Sequence, residues 1–111
     1  MSIDLKELVA LVKTLDIPVY RDEAPKNKAL PYIVYTYVGT ENTWSGSRVY
    51  RKLPLYQFSL FTNGTEKEIT KIENLLSTSQ VPFDDFSSIQ FKENDKTVNN
   101  FYTQIRVVEN G

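Results

Sequence analysis

Histidine and cysteine are both absent from this sequence of 111 residues. Their absence removes the commonest general base, the thiolate nucleophile, the usual zinc ligands and every disulfide. Only carboxylates, lysines, tyrosines and hydroxyls are left as candidate catalytic groups. We therefore expect a protein that acts by binding other protein surfaces, is not an enzyme and needs neither a metal nor a cofactor.

The sequence also lacks an excess of charge of one sign, since 13 basic residues face 14 acidic ones and the formal net charge is -1. Attraction to a phosphate backbone needs a basic surface, so DNA binding is not the expected function. The N-terminal segment has acidic residues at Asp4 and Glu7 and no uninterrupted apolar run, which excludes a signal peptide or a membrane span there. The missing cysteines fit a protein made in a reducing cytoplasm.

What the sequence does contain is enough apolar material for one folded domain. Hydrophobic residues make up 41% of the chain, aromatic residues make up 13%, and seven residues are tyrosines. A chain of this length matches the commonest domain size, so residues 1–111 are predicted to form a single domain. Tyrosine buries a ring while leaving a polar tip exposed, which favours strands and interfaces.

Two segments show the apolar spacing of amphipathic helices. The first helix is predicted over residues 3–15, and Pro18 prevents its continuation. The second is predicted over residues 65–78. Each begins with a potential capping box, in which side chains satisfy free backbone donors: Asp4 with Glu7, and Thr65 with Glu68.

Alternating and β-branched residues predict five strands, which gives the element order α-β-β-β-α-β-β. A polar stretch at 39–47, broken only by Trp44, is predicted as the turn of a long hairpin. Strands gathered around two separated helices indicate an α+β fold, with an antiparallel or mixed sheet and both helices packed on one face. The predicted strands cover residues 19–20, 32–38, 48–62, 88–93 and 101–107, and Asn94 with Asp95 is predicted to form a turn between the last two.

The predicted hairpin carries the candidate interaction residues. Trp44 is a large apolar ring on a polar tip, and it either contacts a partner or folds back onto its own hairpin. Arg48 and Arg51 lie near Tyr50 and could form a small nucleic-acid-binding patch, but the acidic neighbours and the neutral net charge favour a solvated or interfacial arginine pair. The candidate protein interface consists of Trp44, Arg48, Tyr50, Arg51 and Leu55.

Two other features have competing interpretations. Asp84 and Asp85 could hold a hard cation or support carboxylate catalysis, but they lack the alternating oxygen ligands of a calcium loop and are expected to be solvated loop acids. A set of tyrosines is expected to pack within the sheet or its core, or else to form a subunit interface. The set is Tyr32, Tyr35, Tyr37, Tyr50 and Tyr56.

Several stretches in this order resemble small tail-completion proteins of long-tailed phages, also called tail terminators or tail-to-head joining proteins. The likeness covers nearly the whole chain. The passage with leucine, proline and tyrosine that leads into a hydrophobic strand contributes most to it. The stretches are Ile-Pro-Val-Tyr at 17–20, Ala-Pro at 24–25, Leu-Pro-Tyr-Ile-Val-Tyr at 30–35 and Tyr-Gln-Phe-Ser-Leu-Phe-Thr at 56–62.

This resemblance implies a structural protein of the virion neck, assembled in the host cytoplasm. It implies a hexameric ring of identical subunits that caps the tail tube, stops its polymerisation and presents a surface to the head connector or stopper protein. DNA would pass through the lumen without specific binding, and no membrane or catalytic residue is implied. Three alternatives stay open: another connector or neck subunit, a monomeric protein-binding regulatory domain, and an enzyme of carboxylate or lysine chemistry.

Overall fold

The computed structural model describes residues 3–109, apart from the side chain of Tyr50. Two α-helices and five strands follow one another in the predicted order, with a 3-10 helix at Glu66–Ile69 just before the second α-helix. None of the described helices is long and apolar enough to cross a membrane. The elements are α1 (Leu5–Lys13), β1 (Val19–Arg21), β2 (Tyr32–Ser45), β3 (Arg48–Thr62), α2 (Thr70–Thr78), β4 (Ser87–Glu93) and β5 (Lys96–Arg106).

The five strands form one sheet in the order β1-β2-β3-β5-β4. β1 runs parallel to β2, and every other neighbouring pair is antiparallel, so the sheet is mixed. Both α-helices contribute to the same core, α1 through Leu8 and Val12 and α2 through Ile72 and Leu76. The α+β fold with its helices against one face of the sheet is therefore confirmed.

Alternation along the strands explains which face the helices cover. Residues directly opposite each other on paired strands point to the same face, and Ile33 lies opposite Leu60 while Tyr35 lies opposite Phe58. Ile33 and Leu60 are at most 2% exposed. Burying an aliphatic side chain of this size contributes about 1.5–3 kcal/mol, so each of these two residues stabilises the packing of the helices on the sheet.

The helix ends follow from local hydrogen bonds. Asp4 and Glu7 form the expected capping box, in which the Glu7 amide donates to Asp4 Oδ1 at 2.8 Å. The second predicted helix is divided, because the Glu68 amide donates to the Thr65 carbonyl three residues back and so tightens the first turn into the 3-10 helix. Thr65 caps this turn by accepting from the Lys67 amide, so the predicted capping box, in which its side chain accepts from the Glu68 amide, is wrong.

The predicted turn at residues 39–47 is wrong. β2 continues to Ser45, which pairs with Arg48, and the turn is only Gly46 and Ser47. Gly46 has a φ of +65°, a backbone conformation that glycine adopts without steric cost. Pairing along β3 overrides the weak strand preference of this polar segment, and the register shifts twice, by one extra residue in β2 at position 38 and one in β3 at position 50.

The second hairpin is also longer than predicted, because β5 begins at Lys96 and not near residue 101. Asn94 and Asp95 form its turn with φ values of 52° and 62°. Two central residues with positive φ are the requirement of a type I′ turn, whose twist matches that of the flanking strands. The predicted turn at these two residues is confirmed.

Candidate protein-interaction site

The hairpin of β2 and β3 projects beyond the rest of the sheet. β5 ends at Arg106 opposite Leu55, so in residues 39–54 β2 and β3 pair only with each other within the sheet. At about 3.3 Å per residue this two-stranded part extends roughly 20 Å. It accounts for much of the elongated shape of the molecule, which measures 54 × 26 × 23 Å.

A charged cluster joins the base of this projection to the body. Arg106 Nε donates to both carboxylate oxygens of Glu41, at 2.9 and 2.7 Å, and Arg106 Nη1 donates to Asp84 Oδ1 at 3.2 Å. The bonds to Glu41 and then to Asp84 raise the pKa of the Arg106 guanidinium. All three side chains are more than two-fifths exposed, so the cluster contributes little to the free energy of unfolding. Its main effect is to orient the hairpin relative to the body.

The end of the hairpin presents an apolar pair to solvent. Trp44 lies directly opposite Val49, so both side chains point to the same face of the ribbon. Their exposed fractions are 59% and 38%. A ring that is more than half exposed is not folded back onto its own hairpin, and Trp44 is therefore available for a partner.

The five predicted interface residues do not all lie together. Arg48 and Arg51 are exposed on the projecting part of β3, near Trp44 along the strand. The side chain of Tyr50 lies outside the described part of the structure. Leu55 is half-buried between β2 and β5, roughly 20 Å from the tip at the usual rise per residue. The structure therefore places Leu55 at the base of the hairpin and not at its end.

The projecting part is basic, whereas the remainder of the chain is acidic. Residues 39–54 contain Arg48, Arg51 and Lys52 against the single acid Glu41, which gives a net charge of +2. Because the whole chain carries -1, the remainder carries -3. Sequence reasoning missed Lys52 in this charge and Val49 beside Trp44. The register pairs Arg48 with Ser45 and Arg51 with Thr43, so both arginines lie on the ribbon face opposite to Trp44 and Val49.

The tyrosine set is divided between the two faces of the sheet. Tyr35 and Tyr56 pack against the core under the helices. Tyr37 is 51% exposed, and its ring meets that of Tyr56 edge-on. Tyr32 lies on the opposite face, where it stacks on Phe61 with ring centroids 5.1 Å apart. Most of the set therefore supports sheet packing.

Four aromatic rings in contact cross the face away from the helices, and we call them the aromatic ladder. Tyr20 meets Tyr32 at 6.3 Å, Tyr32 stacks on Phe61, and Phe61 meets Phe91 at 6.3 Å. The ladder joins β1, β2, β3 and β4. Sequence reasoning missed it because only the strand register brings these rings side by side.

Of the two adjacent acids, Asp84 contacts a basic side chain of the same chain. Asp84 is bound by Arg106, and residues 3–109 hold no group of three or more acidic, histidine or cysteine side chains that could bind a metal. The apolar cavity between the helices and the sheet has a volume of about 10 Å³, the size of one water molecule. That cavity is too small for a substrate.

Neither a family model nor a curated protein matches this chain. The likeness to tail-completion proteins therefore rests on the residues that carry it, and the functional conclusion rests on the shape, exposure and charge of the hairpin.

Proposed function

We propose that this protein is a tail-completion protein that forms a ring on the end of a phage tail tube and joins the tube to the head connector. The observation that carries the proposal is the projecting hairpin with its exposed Trp44. The element order supports it too, because the stretches that resemble the family fall on the connection into β1, on β2 and on β3.

A projecting two-stranded ribbon needs contacts with other parts of the protein or with a partner to be stable. An isolated hairpin is marginally stable in water. The Val107 amide still donates to the Pro54 carbonyl, but farther out no third strand among residues 3–109 pairs with the ribbon. Tryptophan and arginine are the residues most enriched among those that dominate binding energy in protein interfaces. Trp44 with Arg48 at the hairpin end is therefore suited to docking on another protein subunit.

The charge distribution favours contact between copies of the same chain. A hairpin of net charge +2 is attracted to a body of net charge -3, and the two surfaces lie on different parts of the molecule. Contacts between two different patches place subunits head to tail, and such contacts generate a ring when the rotation between subunits closes. The number six comes from the family resemblance.

The experiment is a tube-growth assay with the tail tube protein of the same phage. We expect the purified protein to stop tube elongation and to be seen by electron microscopy as a ring at tube ends. Trp44→Ala should lose capping while its circular dichroism spectrum is unchanged, because the side chain is exposed. The matched control is Thr78→Ala at the exposed end of α2, which should cap normally.

Tubes that grow to the same length with and without the protein would overturn the capping function. If the protein leaves tubes unaltered but binds the isolated head connector, the alternative of a different neck subunit is correct. If Trp44→Ala caps as well as the unaltered protein does, the ring contact lies elsewhere on the molecule.

A further inference from the structure

The second interaction surface lies on β4, at the far edge of the sheet. Within residues 3–109, β4 pairs with β5 on one side and with no strand on the other, and all seven of its side chains are exposed. Such an edge leaves backbone donors and acceptors unpaired, so it is a template for another strand unless charges or prolines block it. β4 contains no proline, and its only charges are Lys92 and Glu93 at its end.

We propose that two copies of this chain pair through their β4 edges in antiparallel orientation, with a two-fold axis at Gln90. This is the one antiparallel register in which all seven residues of both strands find a partner. Ile89 of one copy then lies opposite Phe91 of the other, and no two like charges face each other. The two sheets merge into one continuous sheet of ten strands.

Apolar exposure on the face away from the helices supports this pairing. Ile89 is 53% exposed and Phe91 is 38% exposed, and Phe91 ends the aromatic ladder through its contact with Phe61. In the proposed register the two copies bring four apolar side chains together across the new strand pair. The ladder of one copy then continues into that of its partner.

On the face of the sheet that carries the helices, charge also supports the pairing of two β4 strands. A surface groove there is lined by Ser88 and Gln90 of β4 and by Glu66, the first residue of the 3-10 helix, so this helix borders β4 while the β4 side chains stay exposed. The register places Lys92 of the second copy opposite Ser88, beside the carboxylate of Glu66. Two such contacts form in each symmetric dimer.

This inference does not depend on the proposed function. The β4–β5 turn lies at the end of β3 that carries Thr62, whereas the projecting hairpin leaves from its other end. Pairing through β4 and docking through Trp44 therefore use opposite ends of the molecule. The Trp44→Ala protein should retain the dimer, which separates a failure of one proposal from a failure of the other.

Sedimentation equilibrium over a range of concentrations tests the proposal, in the unaltered protein and in Trp44→Ala. Ser88→Lys places two like-charged pairs at the interface and should raise the dimer Kd about fivefold, whereas Ser88→Glu should lower it. Ile89→Lys charges the centre of the edge and should raise the Kd about tenfold or more. Asn74→Lys on the exposed surface of α2 is the control and should leave it unchanged.

The proposal is overturned if the Trp44→Ala protein stays monomeric as its concentration rises. It is also overturned if a dimer forms whose Kd responds to the three β4 substitutions no more than to Asn74→Lys. Hydrogen exchange gives a second readout. The β4 amides that point away from β5 should exchange more slowly as the dimer population rises, and they should exchange quickly in Ile89→Lys.

Discussion

At the scale of single residues, Tyr32 shows how position on the sheet sets a side chain's chemistry. Its ring lies between Tyr20 and Phe61 in the aromatic ladder. Burial and the negative charge of Glu93 raise the pKa of the Tyr32 hydroxyl above its ordinary value of 10.0. The folded chain therefore holds this proton at a pH where the unfolded chain loses it.

The consequence is a loss of stability in alkali. Above about pH 10 the unfolded state ionises this tyrosine first, so the free energy of unfolding falls as the pH rises through that range and up to the folded pKa. In Tyr32→Phe the free energy of unfolding should fall less steeply with rising pH in this range than in the unaltered protein. Near neutral pH its dependence on pH should be nearly the same in both proteins. Urea unfolding at a series of pH values measures both slopes; parallel curves throughout would contradict the assigned cause.

Leu76 is the residue on which the packing of α2 depends, since its side chain is 0% exposed within the core cluster. Leu76→Ala should lower the free energy of unfolding by about 2–5 kcal/mol, through lost burial and the cavity left behind. Ser77→Ala, one position along on the exposed side, should change it by less than about 0.5 kcal/mol. Urea denaturation compares them, and equal losses would show that α2 does not pack as described.

At the scale of elements, the hairpin turn distinguishes two glycines that the sequence alone does not. Gly46 has a φ of +65°, whereas Gly39 has no such conformation, and neither has atoms within 4 Å of an added Cβ. Gly46→Ala should therefore cost about 1–2 kcal/mol from the backbone alone, while Gly39→Ala should be close to neutral. Thermal unfolding of both variants is the measurement, and a larger loss at Gly39 would contradict the turn's placement.

Elements were predictable from sequence where the determining interactions are local. The capping box at Asp4 and the turn at Asn94–Asp95 depend on neighbours within four residues, and both were predicted. The strand over residues 39–45 was not, because its polar residues are held by β3 and not by their own preference. The strand propensity of a segment does not predict its pairing with a strand that is distant in sequence.

The same division applies to the candidate sites. Trp44 was named as a candidate because a large ring in a polar segment is conspicuous in sequence, and the structure leaves 59% of it exposed. Its partner Val49 and the self-complementary arrangement of Ile89 and Phe91 were not predicted. Each requires the register of one strand against another, which the order of residues along the chain does not contain.

For the whole molecule, shape and charge both favour assembly through the hairpin. The molecule is 54 Å long, with a basic hairpin at one end and an acidic remainder. Attraction between exposed charges is screened over about 10 Å at 0.1 M salt and about 3 Å at 1 M. Assembly through the hairpin should therefore weaken several-fold between these salt concentrations.

Light scattering of the assembled protein across this salt range is the measurement. Arg48→Gln should flatten the dependence, because it removes one of the exposed charges at the hairpin end. Lys13→Gln, at the exposed end of α1, removes the same charge from the body and serves as the control. Assembly that strengthens steadily with salt would show that apolar contacts alone hold the subunits together.

In the proposed assembly, the end of the hairpin contacts another copy of the same chain on the tail tube. A photoactivatable side chain at Ser45, exposed beside Trp44, tests it most directly. After irradiation with tail tubes present, we expect a ladder of covalent products in steps of one 12.8 kDa chain, reaching six copies. Products that join this chain only to a different protein, or only to itself within one copy, would contradict the claim.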